Sequence, residues 1–209
     1  IPTSPKPYFE INIDLTKHPH ITKEISDEWI EKLIGNICEL VGGDCVPVIV
    51  MTSHRPDKLS YHLVVSRVCL KSKIESKAFA SKVMTAELKP FVDCAVYSSV
   101  QQFRVLGSTK HGKQNPKVID WNLSWMFHLP KGLNKFKKKN YLLKSSLVSY
   151  TEECELFDVE GAPPKLTMTK GNASELDVDV ALELLSLKYE NFEFKCATEQ
   201  KGNALIELR

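Results

Sequence analysis

Strict alternation of apolar and polar residues marks the first predicted element. Over residues 7–15 every second side chain is apolar, and the intervening positions include Glu10, Asn12 and Asp14. Side chains two apart on a strand point to the same face, about 6.6 Å from each other. The pattern therefore predicts a half-buried strand with three oxygen-bearing side chains on its open face.

Helical spacing and short apolar runs then alternate along the chain. Apolar residues recur at intervals of three and four over residues 22–41, before two glycines, which predicts a helix. Residues 46–51 and 59–65 are short apolar segments typical of strands. Ser72-Lys73-Ile74-Glu75 matches a capping box and predicts a helix that runs to about Leu88.

The next segment is predicted to form two strands. The apolar run over residues 91–97 predicts a strand with Asp93 near its start, and residues 102–106 predict its partner across a turn at Ser98-Ser99. Residues 107–140 are polar and basic, which predicts a loop.

The C-terminal part is predicted to combine a connection, a helix and a hairpin. Residues 152–172 are acidic and contain two prolines, which indicates an exposed connection. Ser174 is predicted to cap a helix through about Tyr189, and residues 192–197 and 204–208 form a closing hairpin. Strands that alternate with helices at long spacing favour a mixed α/β fold of the α+β class.

Composition narrows the class of protein. The chain has 209 residues, of which 43% are hydrophobic and 26% charged, so it can bury a core. A net charge of +2 does not by itself indicate nucleic acid. Six cysteines without a Cys-x-x-Cys pair favour thiols in a reducing compartment, and no apolar run approaches the roughly 20 residues that span a bilayer. With no signal peptide and no initiator methionine, we expect an intracellular, excised fragment.

Lysines and aromatic rings are concentrated in the predicted loop. Residues 131–139 contain five lysines, and Trp121, Trp125 and Phe136 lie in the same region. Lysine contacts to phosphate and base stacking on aromatic rings are typical of single-stranded nucleic-acid binding, although a solvated loop has the same composition. The candidate nucleic-acid contacts are Lys113, Lys135, Lys137, Lys138 and Lys139.

Two acidic segments supply candidate metal ligands. Glu10, Asn12 and Asp14 share one strand face, and Asp93 lies in an apolar context where an unpaired charge is costly. Mg²⁺ and Mn²⁺ prefer carboxylate oxygens, and two-metal phosphoryl transfer holds its ions about 3.5–4 Å apart. The alternatives are a solvated strand face for the first group and a capping role for Asp93.

Hydroxyl, imidazole and cationic groups are candidate phosphate contacts. Ser60 and His62 share a strand face, so a hydrolase with a Ser60–His62 pair is a rival, although no Gly-x-Ser-x-Gly elbow is present. No Walker A or dinucleotide-type glycine loop occurs, so a phosphate site must consist of side chains on a sheet. The candidates are Lys58, Ser60, His62, Arg104, Ser108 and Lys110.

The order of these segments resembles the archaeo-eukaryotic primase superfamily. That family carries an acid-x-acid motif, then a Ser-x-His motif, then an apolar-Asp motif. The corresponding runs are Glu10-Ile11-Asn12-Ile13-Asp14, Lys58-Leu59-Ser60-Tyr61-His62, Phe91-Val92-Asp93-Cys94-Ala95-Val96-Tyr97 and Phe103-Arg104-Val105-Leu106-Gly107-Ser108-Thr109-Lys110. The likeness covers residues 8–113 and is greatest to PrimPol enzymes and to the primase halves of poxvirus-type primase-helicases.

The resemblance implies an RRM-like catalytic sheet with flanking helices, which joins nucleoside triphosphates on a single-stranded DNA template. It implies two Mg²⁺ or Mn²⁺ ions at the first motif and Asp93, with the triphosphate at the candidate phosphate contacts. It also implies a helicase domain in the full-length protein and a viral replication site in the cytoplasm or nucleus, without secretion or a membrane. We expect one catalytic domain over residues 1–209, with a motif-bearing core over 1–113 and a basic loop, helix and hairpin over 114–209.

Asn12 departs from the family pattern. The first motif requires two carboxylates one residue apart, and either Glu10-Ile11-Asn12 or Asn12-Ile13-Asp14 places a neutral amide in one of the two positions. We favour Asn12 and Asp14, because an apolar residue follows each of them as it follows Asp93. The predicted catalytic residues are Asp14, Asp93 and Asn12, and the predicted metal ligands are these three and Glu10. A primase/polymerase weakened by Asn12 is the first hypothesis, and a non-catalytic single-stranded nucleic-acid-binding module on the same fold is the second.

Overall fold

The computed structural model describes residues 5–42, 46–97, 103–112 and 114–160, together with the backbone of two C-terminal strands. The chain divides into two compact units, Ile1–Lys165 and Leu166–Arg209. The elements are, in chain order, β1 (Tyr8–Asp14), α1 (Lys23–Val41), β2 (Val48–Thr52), β3 (Lys58–Val65), β4 (Val68–Cys69), α2 (Lys73–Val83), β5 (Val118–Ile119), α3 (Lys135–Ser146), β6 (Glu155–Leu156), β7 (Phe194–Gln200) and β8 (Asn203–Leu208).

A four-stranded antiparallel sheet organises the first unit. Its strand order is β1-β3-β2-β5, and β4 pairs with β6 in a separate parallel ladder. The sheet and the three helices confirm the predicted α+β class. In the second unit β7 and β8 form the predicted hairpin.

One face of the sheet packs against α1 and α2 in the main core. Phe9 and Ile11 of β1 are fully buried in one cluster with Leu33 of α1 and Phe79 of α2. The Thr22 side chain accepts the Ile25 backbone N–H at the start of α1, and Gly42 ends the helix in a left-handed conformation. Helix α1 therefore matches the prediction from helical spacing.

The opposite face of the sheet carries a smaller apolar cluster and an open polar region. Tyr8, Ile49 and Met51 are buried there with Phe127, and side chains from α3 pack against them. The polar side chains of β1 and β3 occupy the remainder of this face, since residues two apart on a strand share a side.

The predicted strand over residues 91–97 is wrong. Two short 3₁₀ helices, Lys89–Phe91 and Cys94–Tyr97, replace it, and Val92 alone makes a bridge to Ile11 of β1. Pro90 starts the first helical turn, and the Asp93 side chain accepts the Ala95 N–H at the start of the second. Local capping has therefore overridden the apolar pattern.

The predicted strand over residues 102–106 is also wrong for residues 103–106, which form no ladder. The Phe103 ring packs on Tyr8 and His62 instead, with centroids 5.2 and 4.5 Å away. Gln102, the Ser98-Ser99 turn and the helix predicted from Ser174 lie outside the described residues.

The predicted loop over residues 107–140 contains two regular elements. Strand β5 pairs with β2, and α3 begins at Lys135, where the Asn134 side chain accepts the Lys137 N–H. Lysine is a good helix former, so the lysine-rich run continues from that cap as a helix. The helix predicted to reach Leu88 ends earlier, at Val83.

A buried hydroxyl joins the sheet to α1 and supports a stability prediction. The Tyr61 hydroxyl donates to Asp27 Oδ1 at 2.8 Å and lies 2.5 Å from Ser26 Oγ. We expect Tyr61→Phe to lower the free energy of unfolding by about 2 kcal/mol, because a charged acceptor loses its buried donor. Chemical denaturation measures the change, with Tyr150→Phe, whose hydroxyl bonds are exposed, as the control. Equal effects of the two substitutions would contradict the prediction.

Candidate functional site

The register of β1 and β3 brings two predicted groups of side chains together. Glu10 lies opposite His62, Asn12 opposite Ser60, and Asp14 opposite Lys58. Side chains directly opposite each other in an antiparallel pair have Cβ atoms about 4.5–5.5 Å apart. The open faces of the two strands therefore form one polar surface.

Glu10 is an ionised carboxylate at the centre of this surface. Its Oε1 atom accepts from Asn12 Nδ2 at 3.2 Å and lies 3.2 Å from His62 Nε2. Burial raises the pKa of Glu10, but His62, Asn12 and Lys117 outweigh burial and lower the pKa to about 2. The Glu10 side chain is 13% exposed and thus remains open to a ligand on one side.

His62 is a fully buried imidazole with unused hydrogen-bonding capacity. Burial lowers its pKa to about 4, against the opposing effect of Glu10, so the ring is neutral at physiological pH. His62 Nε2 lies 3.2 Å from Glu10 Oε1, and neither ring nitrogen makes a hydrogen bond of standard geometry within the described residues. Buried polar groups in this state require an explanation, and a bound ligand is one.

The chain leads from the bridge at Val92 directly to Asp93. Val92 pairs with Ile11, and the Asp93 N–H donates to the Glu10 carbonyl at 2.8 Å. This backbone contact places Asp93 next to Glu10 at the edge of the polar surface. The Asp93 Oδ1 atom also accepts the Ala95 N–H at 3.0 Å, so the capping role considered from the sequence is present.

Asp14 has a different environment from Glu10. It lies at the end of β1, where its Oδ1 atom accepts from both the N–H and the hydroxyl of Thr16, at 3.0 and 2.6 Å. The Thr16 hydroxyl is the main group that lowers the pKa of Asp14. The Asp14 carboxylate thus stabilises the turn between β1 and α1.

A basic pocket adjoins the polar surface. Arg104 Nη2 donates to Ser53 Oγ at 3.2 Å, and Asn115 Nδ2 donates to the Ser53 carbonyl at 2.7 Å. Burial lowers the pKa of Lys58, and the charge of Lys110 lowers it further. The pocket is lined by Ser53, Arg55, Lys58, Ser60, Arg104, Lys110 and Asn115.

Two of the predicted phosphate contacts, His62 and Ser108, are not among the residues that line this pocket. The Ser108 hydroxyl donates to the Val105 carbonyl at 2.7 Å and so belongs to a local turn. Lys113 lies outside the described residues. The lysines from Lys135 to Lys139 are exposed on α3. Other side chains of α3 pack against the smaller apolar cluster of the first unit.

Lys117 is a member of the site that the sequence analysis missed. Its side chain is fully buried, and its Nζ atom donates to Ser60 Oγ at 3.1 Å. Burial lowers the pKa of Lys117 to about 6, and the Arg104 charge contributes to this shift. Lys117 directly precedes β5, so only the recognition of that two-residue strand would have placed it on the sheet.

The metal-ligating side chains of this surface would suffice for a divalent ion only if a substrate supplied further oxygen ligands. Among the residues that the structure describes, no three His, Cys, Asp or Glu side chains are close enough to hold a metal ion. Mg²⁺ is commonly held by one or two carboxylates together with substrate phosphates. Glu10 and Asp93, with the Asn12 amide oxygen, match that smaller donor set.

None of the helices that the structure describes is long and apolar enough to cross a membrane.

Comparison with known proteins gives a partial similarity. No protein-family model matches the chain. It is 29% identical over 117 residues to a protein of African swine fever virus, strain Badajoz 1971, that is provisionally named a helicase/primase complex protein. It is 34% identical over 80 residues to the protein of the same name from the Tick/Malawi isolate. These matches cover 54% and 37% of this chain, but only 11% and 7% of the viral proteins.

Proposed function

We propose that the polar surface of β1 and β3 binds the triphosphate and the metal of a template-dependent DNA primase/polymerase that acts in viral replication. The observation that carries the proposal is the register, which sets Glu10 and Asn12 against His62 and Ser60, next to the Asp93 backbone. The similarity to viral proteins named for a helicase/primase complex supports the same function.

The phosphate contacts are assigned to the basic pocket. Arg104, Lys58 and Lys110 supply positive charge, and the neutral Ser60 supplies a hydrogen bond. The neutral His62 imidazole supplies a further hydrogen bond from the adjoining polar surface. Lys117 joins them because its buried Nζ atom already donates to Ser60, which lines the pocket. Burial lowers the pKa values of Lys58 and Lys117, and the charges of Lys110 and Arg104 lower them further, so a bound triphosphate would relieve an existing repulsion.

The metal ligands are assigned to Glu10, Asn12 and Asp93. A bound Mg²⁺ or Mn²⁺ ion would neutralise the phosphate oxygens and lower the pKa of the attacking 3′-hydroxyl. We propose the Glu10–Asn12 pair in place of the Asn12–Asp14 pair that we favoured from the sequence. The Asp93 backbone N–H donates to the Glu10 carbonyl, whereas the Asp14 carboxylate stabilises a turn. A second ion remains part of the proposal, with the substrate as the source of its further ligands.

A non-catalytic nucleic-acid-binding module is the second candidate. The neutral Asn12 and the absence of a three-residue ligand cluster among the described residues favour it. The hydrolase alternative has less support, because the Ser60 hydroxyl bonds Lys117 and the His62 imidazole lies beside Glu10. No nucleophile–base hydrogen bond joins Ser60 and His62 in the described structure.

Incorporation of labelled nucleotides separates the two candidates. The 209-residue chain is incubated with a single-stranded DNA template and ribo- or deoxyribonucleoside triphosphates, with Mn²⁺, Mg²⁺ or EDTA. The proposal predicts template-dependent products with metal and none with EDTA. Binding of template and nucleotide without products under any of these conditions would favour the binding module.

The cellular setting follows from the same proposal. A primase requires unwound template, so we infer that a helicase, in the same chain or a separate one, is its partner. We place it at an intracellular site of viral replication, in the cytoplasm or the nucleus.

Nucleotide binding should be coupled to proton uptake. A bound polyanion raises the pKa values of Lys58 and Lys117, which burial lowers in the free protein. The complex therefore holds more protons than the free protein, and affinity falls as pH rises above about 6, the pKa of Lys117 in the free protein. Titration calorimetry at about pH 8 in buffers of different ionisation enthalpy measures the uptake, and Lys117→Met should reduce it. Binding enthalpies that are the same in every buffer would contradict the prediction.

A further inference from the structure

Two tryptophans are displayed at the surface of the turn that follows β5. Trp121 is 50% exposed and Trp125 is 48% exposed, although a tryptophan buries more apolar area than any other side chain when it packs in a core. The third tryptophan, Trp29, is half-buried and stacks on Phe91.

Trp121 stacks on Phe127 and so lies on the side of the sheet that carries the polar surface. Trp125 pairs with Val48, whose side chain is in the main core on the other side. We call the exposed ring of Trp121 the tryptophan surface.

Hydrogen bonds hold this turn firmly to the sheet. The Asp120 N–H donates to the Val50 carbonyl at 2.9 Å, and its Oδ1 atom accepts from Asn122 N–H at 3.1 Å. Val48 and Trp125 exchange both of their backbone hydrogen bonds, at 2.9 and 3.0 Å. A turn fixed in this way presents its side chains at little cost in conformational entropy, which is the property of a binding surface.

Aromatic stacking links the tryptophan surface to the lysines of α3. The buried Phe127 ring is nearly parallel to Trp121 and to Tyr141, at 12° and 7°, with centroids 6.0 and 5.8 Å away. Lys137 and Lys138 precede Tyr141 by four and three residues, so they share its side of α3. Helix α3 contains no acidic residue, and the lysines from 135 to 139 are exposed.

Only a few residues of the chain separate the tryptophan surface from the basic pocket. Lys117 bonds Ser60 in the pocket, and β5 leads from it to Trp121 four residues later. Four residues span at most about 14 Å. A strand that stacks on Trp121 therefore runs within a few nucleotides of the triphosphate.

We propose that Trp121, with Lys137 and Lys138, binds the bases and phosphates of the single-stranded template beside the nucleotide site. The proposal rests on the proposed function for the identity of the strand as a template. The occupant is nucleic acid because an exposed ring, beside lysines on a helix that contains no acidic residue, matches a stacked base and phosphates. An apolar protein partner would leave the lysines without counter-charges.

Tryptophan fluorescence tests the stacking directly. A 20-residue oligothymidylate should quench the emission of the wild-type chain, and Trp29→Phe should retain that quenching. Trp121→Ala should lose most of it and weaken oligonucleotide binding about tenfold, measured by fluorescence anisotropy. Trp125→Ala should also retain the quenching, since Trp125 pairs with Val48 on the main-core side of the sheet, and thermal melts confirm that each variant is folded.

The salt dependence of binding tests the two lysines. Lys137→Ala/Lys138→Ala should reduce the slope of log K against log salt by about 1.4, as expected for two lost phosphate contacts on a single strand. The control, Lys135→Ala/Lys139→Ala, removes the same charge from other sides of α3 and should change the slope by less than half as much.

Two outcomes would overturn the inference. One is saturable oligonucleotide binding without quenching in the wild type, and the other is equal slopes for the two lysine variants. Nucleotide affinity in the Trp121→Ala variant should stay at the wild-type value, since Trp121 does not line the basic pocket. Failure of the wild-type chain to bind nucleoside triphosphates would overturn the proposed function alone, because oligonucleotide quenching is measured without them.

Discussion

Glu10→Gln and Asp93→Asn should each reduce nucleotide incorporation by at least about 10³-fold, whereas Asp14→Asn should stay within about threefold of the wild type. The first two substitutions remove a negative charge next to the proposed metal. Asp14 accepts from Thr16 in the turn after β1, so its substitution affects local structure instead. The three variants change charge equally, and each keeps a side chain of nearly the same shape.

Steady-state incorporation with Mn²⁺ and with Mg²⁺ measures this prediction. Triphosphate affinity in Asp93→Asn, determined with inorganic triphosphate in EDTA, should remain within a few-fold of the wild type, because the basic pocket is intact. A loss of activity in Asp14→Asn together with normal activity in Glu10→Gln would contradict the assignment. It would restore Asn12 and Asp14 as the first motif.

Asn12→Asp should make the protein less stable without metal and more active with it. In the wild type, Asn12 Nδ2 donates to Glu10 Oε1. An aspartate at this position loses that hydrogen bond and adds a like charge, so we expect the metal-free free energy of unfolding to fall by about 1–2 kcal/mol. A second carboxylate also binds a divalent ion more tightly than an amide does, and we expect at least about tenfold more incorporation.

Thermal melts with and without Mn²⁺ separate these two effects. Mn²⁺ should raise the melting temperature of Asn12→Asp more than that of the wild type, since ligand binding stabilises the folded state. Asn36→Asp is a suitable control, because this substitution also removes an amide hydrogen bond, from Asn36 Nδ2 to the Val83 carbonyl. Asn36 lies on α1, away from the polar surface. A similar Mn²⁺ response in the two variants would contradict the assignment of Asn12 to the metal site.

The polar surface was predictable from the sequence where simple periodicity governs the structure. Alternation over β1 fixed which of its side chains share a face, and β3 follows the same rule for Ser60 and His62. The apolar–polar pattern of each strand does not predict the register between the two strands. The register sets Glu10 opposite His62, and this observation is the reason that we propose Glu10 rather than Asp14 as a metal ligand.

Other parts of the site depend on contacts that no local pattern encodes. The segment around Asp93 is apolar like a strand, but Pro90 and the Asp93 side chain bend it into 3₁₀ turns. Lys117 is buried because a two-residue strand pairs with the edge of β2. Tertiary pairing of this kind overrides propensity in short segments, so the buried lysine that bonds Ser60 could be found only from the structure.

A crystal structure of the chain with Mn²⁺ and a nucleoside triphosphate tests the central assignment most directly. Anomalous scattering locates the ion without reference to the protein. We predict an ion about 2.1 Å from carboxylate oxygens of Glu10 and Asp93, with the triphosphate on Arg104, Ser60 and Lys117. An ion bound at Asp14, or a triphosphate outside the basic pocket, would contradict this account.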